Sequence, residues 1–240
     1  MNKKDLNLPT SSDVTDDPIG RACGILTSVS RSRASVYRWL SLGFYPPDQE
    51  WADSVNRGQL SAELTDATSW LGADQTRLLR EIEKLASHCQ SSLENWQSEY
   101  DLLFGKSIQH VSQQESTYRW RDASHMHEAA DGLAQSLQQE YSQFGLTPIA
   151  GMEGTVAVEY EFLAYMCERE AENWAIHAMS AARELRQQQR NFLTNHLGLW
   201  FPEFSRNIMD CLADSFYSHL ANFGNTWLFF EYGAGYLGVA

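Results

Sequence analysis

The sequence predicts an all-α fold, a single globular domain of about eight to ten helices. Three observations carry that prediction: apolar residues recur every three or four positions along most of the chain, glycine and proline fall where those stripes end, and alternating runs of strand type are hard to find. The 240 residues, 43% of them hydrophobic, with eight Trp, ten Tyr and eleven Phe, supply material for one large core. We divide the chain into a polar N-terminal tail, 1–18, and a helical domain, 19–240, with a candidate hinge near 147–154.

Taken in order, the first helix is expected from about Gly20 to Phe44, stopped by Pro46 and Pro47, and a short one follows around Trp51 to Val55. Leu78, Ile82, Leu85, Cys89, Leu93, Trp96, Tyr100 and Leu103 then form one unbroken stripe, with Gly105 as its left-handed C-cap. Met126, Ala130, Leu133, Leu137, Tyr141 and Phe144 make a second stripe, closed by Gly145 and Pro148. A third runs through Val158, Phe162, Tyr165 and Met166, and a fourth through Ala178, Ala182, Leu185, Gln189, Phe192 and His196. Pro202 suits a first helical turn, and Phe204, Ile208, Cys211, Phe216 and Leu220 continue behind it as one helix. Two breaks stand out: Lys106 to Arg121, polar and without period, is the best candidate for a functional loop, and Thr147 to Gly154 is the second.

Charge narrows the partners. With 31 acidic and 18 basic residues the formal net charge is −13, which repels a phosphate backbone and attracts basic segments, so nucleic acid is not expected as a partner. No run approaches a membrane span, and Met1 to Asp17 lacks the apolar segment of a secretory leader, so a cytoplasmic location without stable membrane insertion is expected. Cys23, Cys89, Cys167 and Cys211 lie far apart in helix-like patterns and read as reduced core residues.

Catalytic and metal motifs are sparse, so no metal, no cofactor and no catalytic residue is expected. His125 and His127, two apart on a helix, point about 200° away from each other and read as ordinary surface or boundary histidines. Gly233, Gly235 and Gly238 superficially resemble a phosphate loop, but no helix follows them to bind the anion. Glu168 and Glu172 are four apart, and with Glu159 they offer carboxylates to a metal, yet no Glu-x-x-His partner accompanies them and a solvated face is the plainer reading. An all-α metal- or ligand-binding protein or enzyme using Glu159, Glu168 and Glu172 is the alternative that these carboxylates leave open.

Several segments, in order, resemble the TorD/DmsD/NarJ family of redox-enzyme maturation chaperones, most closely its TorD-like members. Tyr37, Leu40 and Phe44 before Pro46 and Pro47 resemble the family's first helix and its exit. Tyr100, Leu103, Phe104 and Gly105 resemble its aromatic-x-x-Leu-Phe-x-Gly pattern, followed by Glu115, Ser116 and Tyr118. Val158-Glu159-Tyr160-Glu161-Phe162-Leu163 resembles its Val-Glu-Leu-Glu-Phe-Met segment. Phe192-Leu193, His196-Leu197, Trp200, Pro202 and Phe204 resemble its Phe-Leu, His-Leu, Trp-x-Pro-x-Phe run, and Phe216-Tyr217 the helix beyond. Two departures stand against these matches: Gly154 and Thr155, just after Glu153, replace the family's Asp-His pair, and Gln113 and Gln114 replace its Pro-aromatic element.

The resemblance implies a non-enzymatic chaperone that binds the twin-arginine leader and the apo form of a molybdoenzyme of the DMSO/TMAO reductase family, assists insertion of the molybdenum cofactor and holds back premature export. It permits a monomer or a helix-exchanged homodimer, and any guanine-nucleotide binding would have to do without the Asp-His pair. The site it implies is a groove lined by Tyr100, Leu103, Phe104, Glu115, Ser116, Tyr118, Glu153, Gly154, Thr155 and Glu159. An acidic rim beside an apolar floor is what a leader with a basic and then an apolar stretch requires.

Overall fold

The computed structural model describes residues 17–71, 75–105, 110–119 and 126–233, without the side chains of 126–128 and 233. Among these residues the chain forms eleven α-helices and no strand: α1 (Pro18–Phe44), α2 (Gln49–Asn56), α3 (Gln59–Ser69), α4 (Thr76–Ala86), α5 (Leu93–Phe104), α6 (Glu115–Arg119), α7 (Met126–Ser142), α8 (Val156–Ala175), α9 (Met179–Asn195), α10 (Leu197–Cys211) and α11 (Phe216–Gly233). The expected all-α class is what the chain adopts. His125, Gly235, Gly238, the side chain of His127 and all of the tail except Asp17 and Pro18 lie outside the described residues. Pro18 belongs to the domain: it opens α1, and Asp17 caps that helix by accepting from the Gly20 N–H at 3.0 Å.

The helix count exceeds the expectation because two stripes are broken in the chain and because α3 forms where no helix was expected and α6 within the segment expected as a loop. The stripe from Leu78 to Leu103 is two helices, since Ser87 and Ser92 compete locally for the backbone: Ser87 donates to the Lys84 carbonyl at 2.6 Å, and Ser92 accepts from the Asn95 N–H at 3.2 Å and starts α5 afresh. Six of its eight apolar residues are buried all the same. Gly105 is extended, with φ −66° and ψ 149°, and not left-handed; a Cβ there would run into the Asp101 carbonyl, which accepts the Gly105 N–H. Gly145 does take the left-handed form, φ 72°. Pro202 lies inside α10, not in its first turn, and Phe216 and Leu220 belong to a separate helix after a turn in which Asp214 has φ 55°. Cys211 is exposed, contrary to the expectation of four buried thiols, while Cys23, Cys89 and Cys167 are buried and all four are free.

Helices α1 and α8 form the central pair. α3 flanks α1, α4 flanks α3, α9 covers α8, and α10 and α11 close the ring against α9 and α4. One continuous core results, rich in rings: Phe44, Tyr160, Phe201 and Phe204 pack edge-on and stacked with centroids 5.4–6.3 Å apart. Within it lies a satisfied polar knot. Arg33 donates to Glu231 through Nε and Nη2 at 3.0 and 2.6 Å, and through Nη1 to Glu170 at 3.1 Å and Gln189 at 2.8 Å. Among the described residues no helix is long and apolar enough to cross a membrane.

Candidate functional site

The polar break before α6 is drawn against the turn before α8 by backbone pairing. Val111 donates to the Leu103 carbonyl at 3.0 Å, Gln114 and Thr155 form an antiparallel bridge, Glu115 N–H reaches the Gly154 carbonyl at 2.8 Å, and Val156 N–H reaches the Gln113 carbonyl at 3.0 Å. Glutamines hold the same seam from their side chains, Gln113 on the Phe44 carbonyl at 3.1 Å and Gln114 on the Gly151 carbonyl at 3.0 Å. Thr155 caps α8, and its hydroxyl donates to the Met152 carbonyl at 2.9 Å. The segments around 100–118 and 153–159 are therefore neighbours.

Under that seam lies a sealed acidic cluster. Glu115 and Glu159 are both fully buried. Glu115 faces two cations, Arg119 one helical turn on at 2.8 Å and His196 Nδ1 at 3.1 Å, and the other imidazole nitrogen lies 3.0 Å from Glu140. Burial disfavours charge on His196, but its two carboxylate partners outweigh burial and lift its pKa to about 9. Glu159 accepts from Trp200 Nε1 at 3.2 Å; burial first, then the charge of Glu115, push its pKa well up. With Arg119 and His196 set against Glu115, Glu140 on the same imidazole and Trp200 on Glu159, the cluster ties α6, α7 and α8 to the junction of α9 and α10. It presents no nucleophile to solvent.

The open site is next door, on the outer face of α8. Leu146, Ile149 and Met152 from the break after α7 face Val158, Phe162 and Tyr165 of α8 across a cleft of about 490 Å³. Its walls are mostly apolar, and Ile149 stands 73% exposed at its lip. Glu161 gives the rim its charge, accepting from the Tyr45 hydroxyl at 2.9 Å. Tyr45, Glu161 and Tyr165 are shared with a second depression of about 360 Å³ that runs on past Leu42 to the Arg38–Glu168 ion pair. The two make one groove.

The expected site residues divide around this geometry. Leu103 is core, fully buried; Phe104 is half-buried and stacks on Phe204 at 6.1 Å; Tyr100 is half-buried, 5.0 Å from Phe104. Tyr118 stacks on Trp200 at 5.3 Å and donates to the Ser112 carbonyl at 2.7 Å, with Ser116 half-buried beside it. The Glu153 carbonyl accepts from Tyr141 at 2.7 Å, and Gly154 lies beneath Leu137. None of the ten expected residues lines the cleft. Glu159, Glu168 and Glu172 do not converge either: Glu159 is sealed, Glu168 pairs with Arg38 and Glu172 with Arg169. The sequence places His196 on a stripe and in the His-Leu resemblance without assigning it a partner, and it assigns no role to Glu140 or to Ile149, a bare aliphatic residue in a break.

Residues 72–206, more than half of the chain, match the family model described as nitrate reductase delta subunit. The chain belongs to the nitrate reductase delta subunit family. This is the chaperone family to which the five sequence resemblances pointed, and it makes the chain a chaperone of molybdoenzyme maturation. The matched span of the delta-subunit family runs from just before α4 into α10 and so holds the sealed cluster, the seam apart from the Phe44 carbonyl, and most of the groove, Arg38, Ser41, Leu42 and Tyr45 excepted. Searches of curated proteins and of solved structures returned no match.

Proposed function

We propose that this delta-subunit-family chaperone receives the twin-arginine leader of a molybdoenzyme precursor in the groove on α8, and that the bound apoenzyme is thereby held back from export while molybdenum cofactor is inserted. The observation that carries the reading is the juxtaposition of an open apolar cleft with a carboxylate rim on a chain of net charge −13. An arginine pair finds Glu161 and Glu168 at the rim, and the apolar stretch that follows lies against Ile149, Val158 and Phe162. The constellation from Tyr100 to Glu159 acts from behind as the support of the cleft wall, because the seam fixes the 147–154 break relative to α8. That same break is where a helix exchange between two copies would pivot. No catalytic step belongs to this reading.

Titration with a synthetic twin-arginine leader at low and moderate salt tests it. We expect saturable binding that weakens as salt rises, a loss of at least tenfold in Ile149→Asp and in Glu161→Lys, and little change in Glu50→Lys, an exposed site on α2. Unchanged affinity in both groove variants would show that the leader binds elsewhere.

A further inference from the structure

Away from the groove, the ends of three helices bring together side chains of metal-ligating type. His88 lies in the turn after α4, Asp214 in the turn between α10 and α11, and His219 in the first turn of α11; their donor atoms all fall within 4.8 Å of one another. Asp214 Oδ1 is 3.1 Å from His219 Nε2 and 3.3 Å from His88 Nε2. A tetrahedral ion with bonds of about 2.0–2.1 Å spaces its ligand atoms about 3.3–3.4 Å apart, so two of the three edges already have the required length. The two imidazoles are tilted by 33° with centroids 4.2 Å apart, and the third edge, between their nitrogens, is within 4.8 Å.

Two further features favour a ligand here. His88 Nδ1 lies 3.1 Å from the Lys84 carbonyl, which accepts from the tautomer that leaves Nε2 bare for a metal. Close by, Glu99 has a buried carboxylate oxygen without a hydrogen-bond partner, and His88 is the charged neighbour that acts on that carboxylate. The Asp214 carboxylate is 85% exposed, leaving room for water on the ion. Two imidazole nitrogens and one carboxylate oxygen suit a borderline divalent ion better than Mg²⁺ or Ca²⁺, which prefer all-oxygen sites, or Cu⁺, which prefers sulfur.

We propose that His88, Asp214 and His219 bind one divalent cation of the zinc class, which clamps the end of α4 to the turn between α10 and α11. None of the three lines the groove, so the site stands independently of leader binding. On binding, each ring carries its proton on Nδ1 and offers Nε2 to the ion.

The test uses tag-free, chelator-treated protein with Cys211→Ser, which removes an exposed thiol that would also take up metal. Calorimetry with Zn²⁺ and visible absorption with Co²⁺ should each give one equivalent bound, with a rise in Tm. His88→Gln and His219→Gln should each weaken binding at least tenfold, as should Asp214→Asn, a residue that tolerates the left-handed backbone. In the protein without ligand substitutions, Zn²⁺ should shift the imidazole NMR signals of His88 and His219, a readout that needs no substitution of a ligand. Absence of a stoichiometric ion, or binding that survives the three folded variants, overturns the site.

Discussion

At the scale of single residues, Glu159 is where charge and burial conflict most openly. Its pKa is raised in the fold, so the folded chain binds a proton that the unfolded chain releases above about pH 4.3. Its contribution is therefore complete below that pH and declines as pH rises through the folded value. Glu159→Gln keeps an acceptor for Trp200 and carries no charge; we expect it to match the wild type near pH 4 and to exceed it by about 1–2 kcal/mol at pH 8 in thermal melts. His196 behaves alike: its contribution is full below about pH 6.5 and is lost as pH passes about 9. His196→Gln should cost about 3 kcal/mol at pH 7 by chemical denaturation, with the difference shrinking as pH rises from about 6.5 to about 9 and level above that. The sequence made Glu159 and Glu115 legible as site residues through resemblance. It concealed their burial, because helical spacing tells which residues share a face and not that α9 returns His196 to meet them.

At the scale of elements, two glycines of α1 separate propensity from packing. A Cβ on Gly24 meets nothing within 4 Å, so Gly24→Ala should raise stability by about 0.5–1 kcal/mol. At Gly43 the same methyl would lie 2.5 Å from Leu220 Cδ2, and overpacking of about 1–3 kcal/mol exceeds the helical gain. Gly43→Ala should therefore lower Tm while Gly24→Ala raises it, since α1 and α11 meet at Gly43. Periodicity made most of the helices visible, α3 and α6 excepted, for the same reason that α8 could be named from Val158, Phe162 and Met166: each stripe must reach a core. Ends were less visible. Ser92 restarts α5, and Asp214 separates α10 from α11, through local hydrogen bonding and backbone conformation that leave the apolar spacing unaltered. The groove was the least visible feature, being made by a break laid over α8 and not by any one element.

At the scale of the whole molecule, net charge acts on stability and recognition in opposite directions. Raising NaCl from about 10 to 150 mM shortens the screening length from about 30 to 8 Å; self-repulsion at −13 should fall and Tm rise by a few degrees, while leader affinity drops over the same range. Melts and leader titrations on one salt series check both signs. The Arg33–Glu231 pair carries a different consequence, one of timing. Its partners are 198 residues apart. At roughly 5–20 residues per second a ribosome needs about 10–40 s between making one and making the other. Throughout that interval the guanidinium of a half-made α1 has no carboxylate from α11 to meet, so the nascent chain cannot close its interior until translation has passed Glu231.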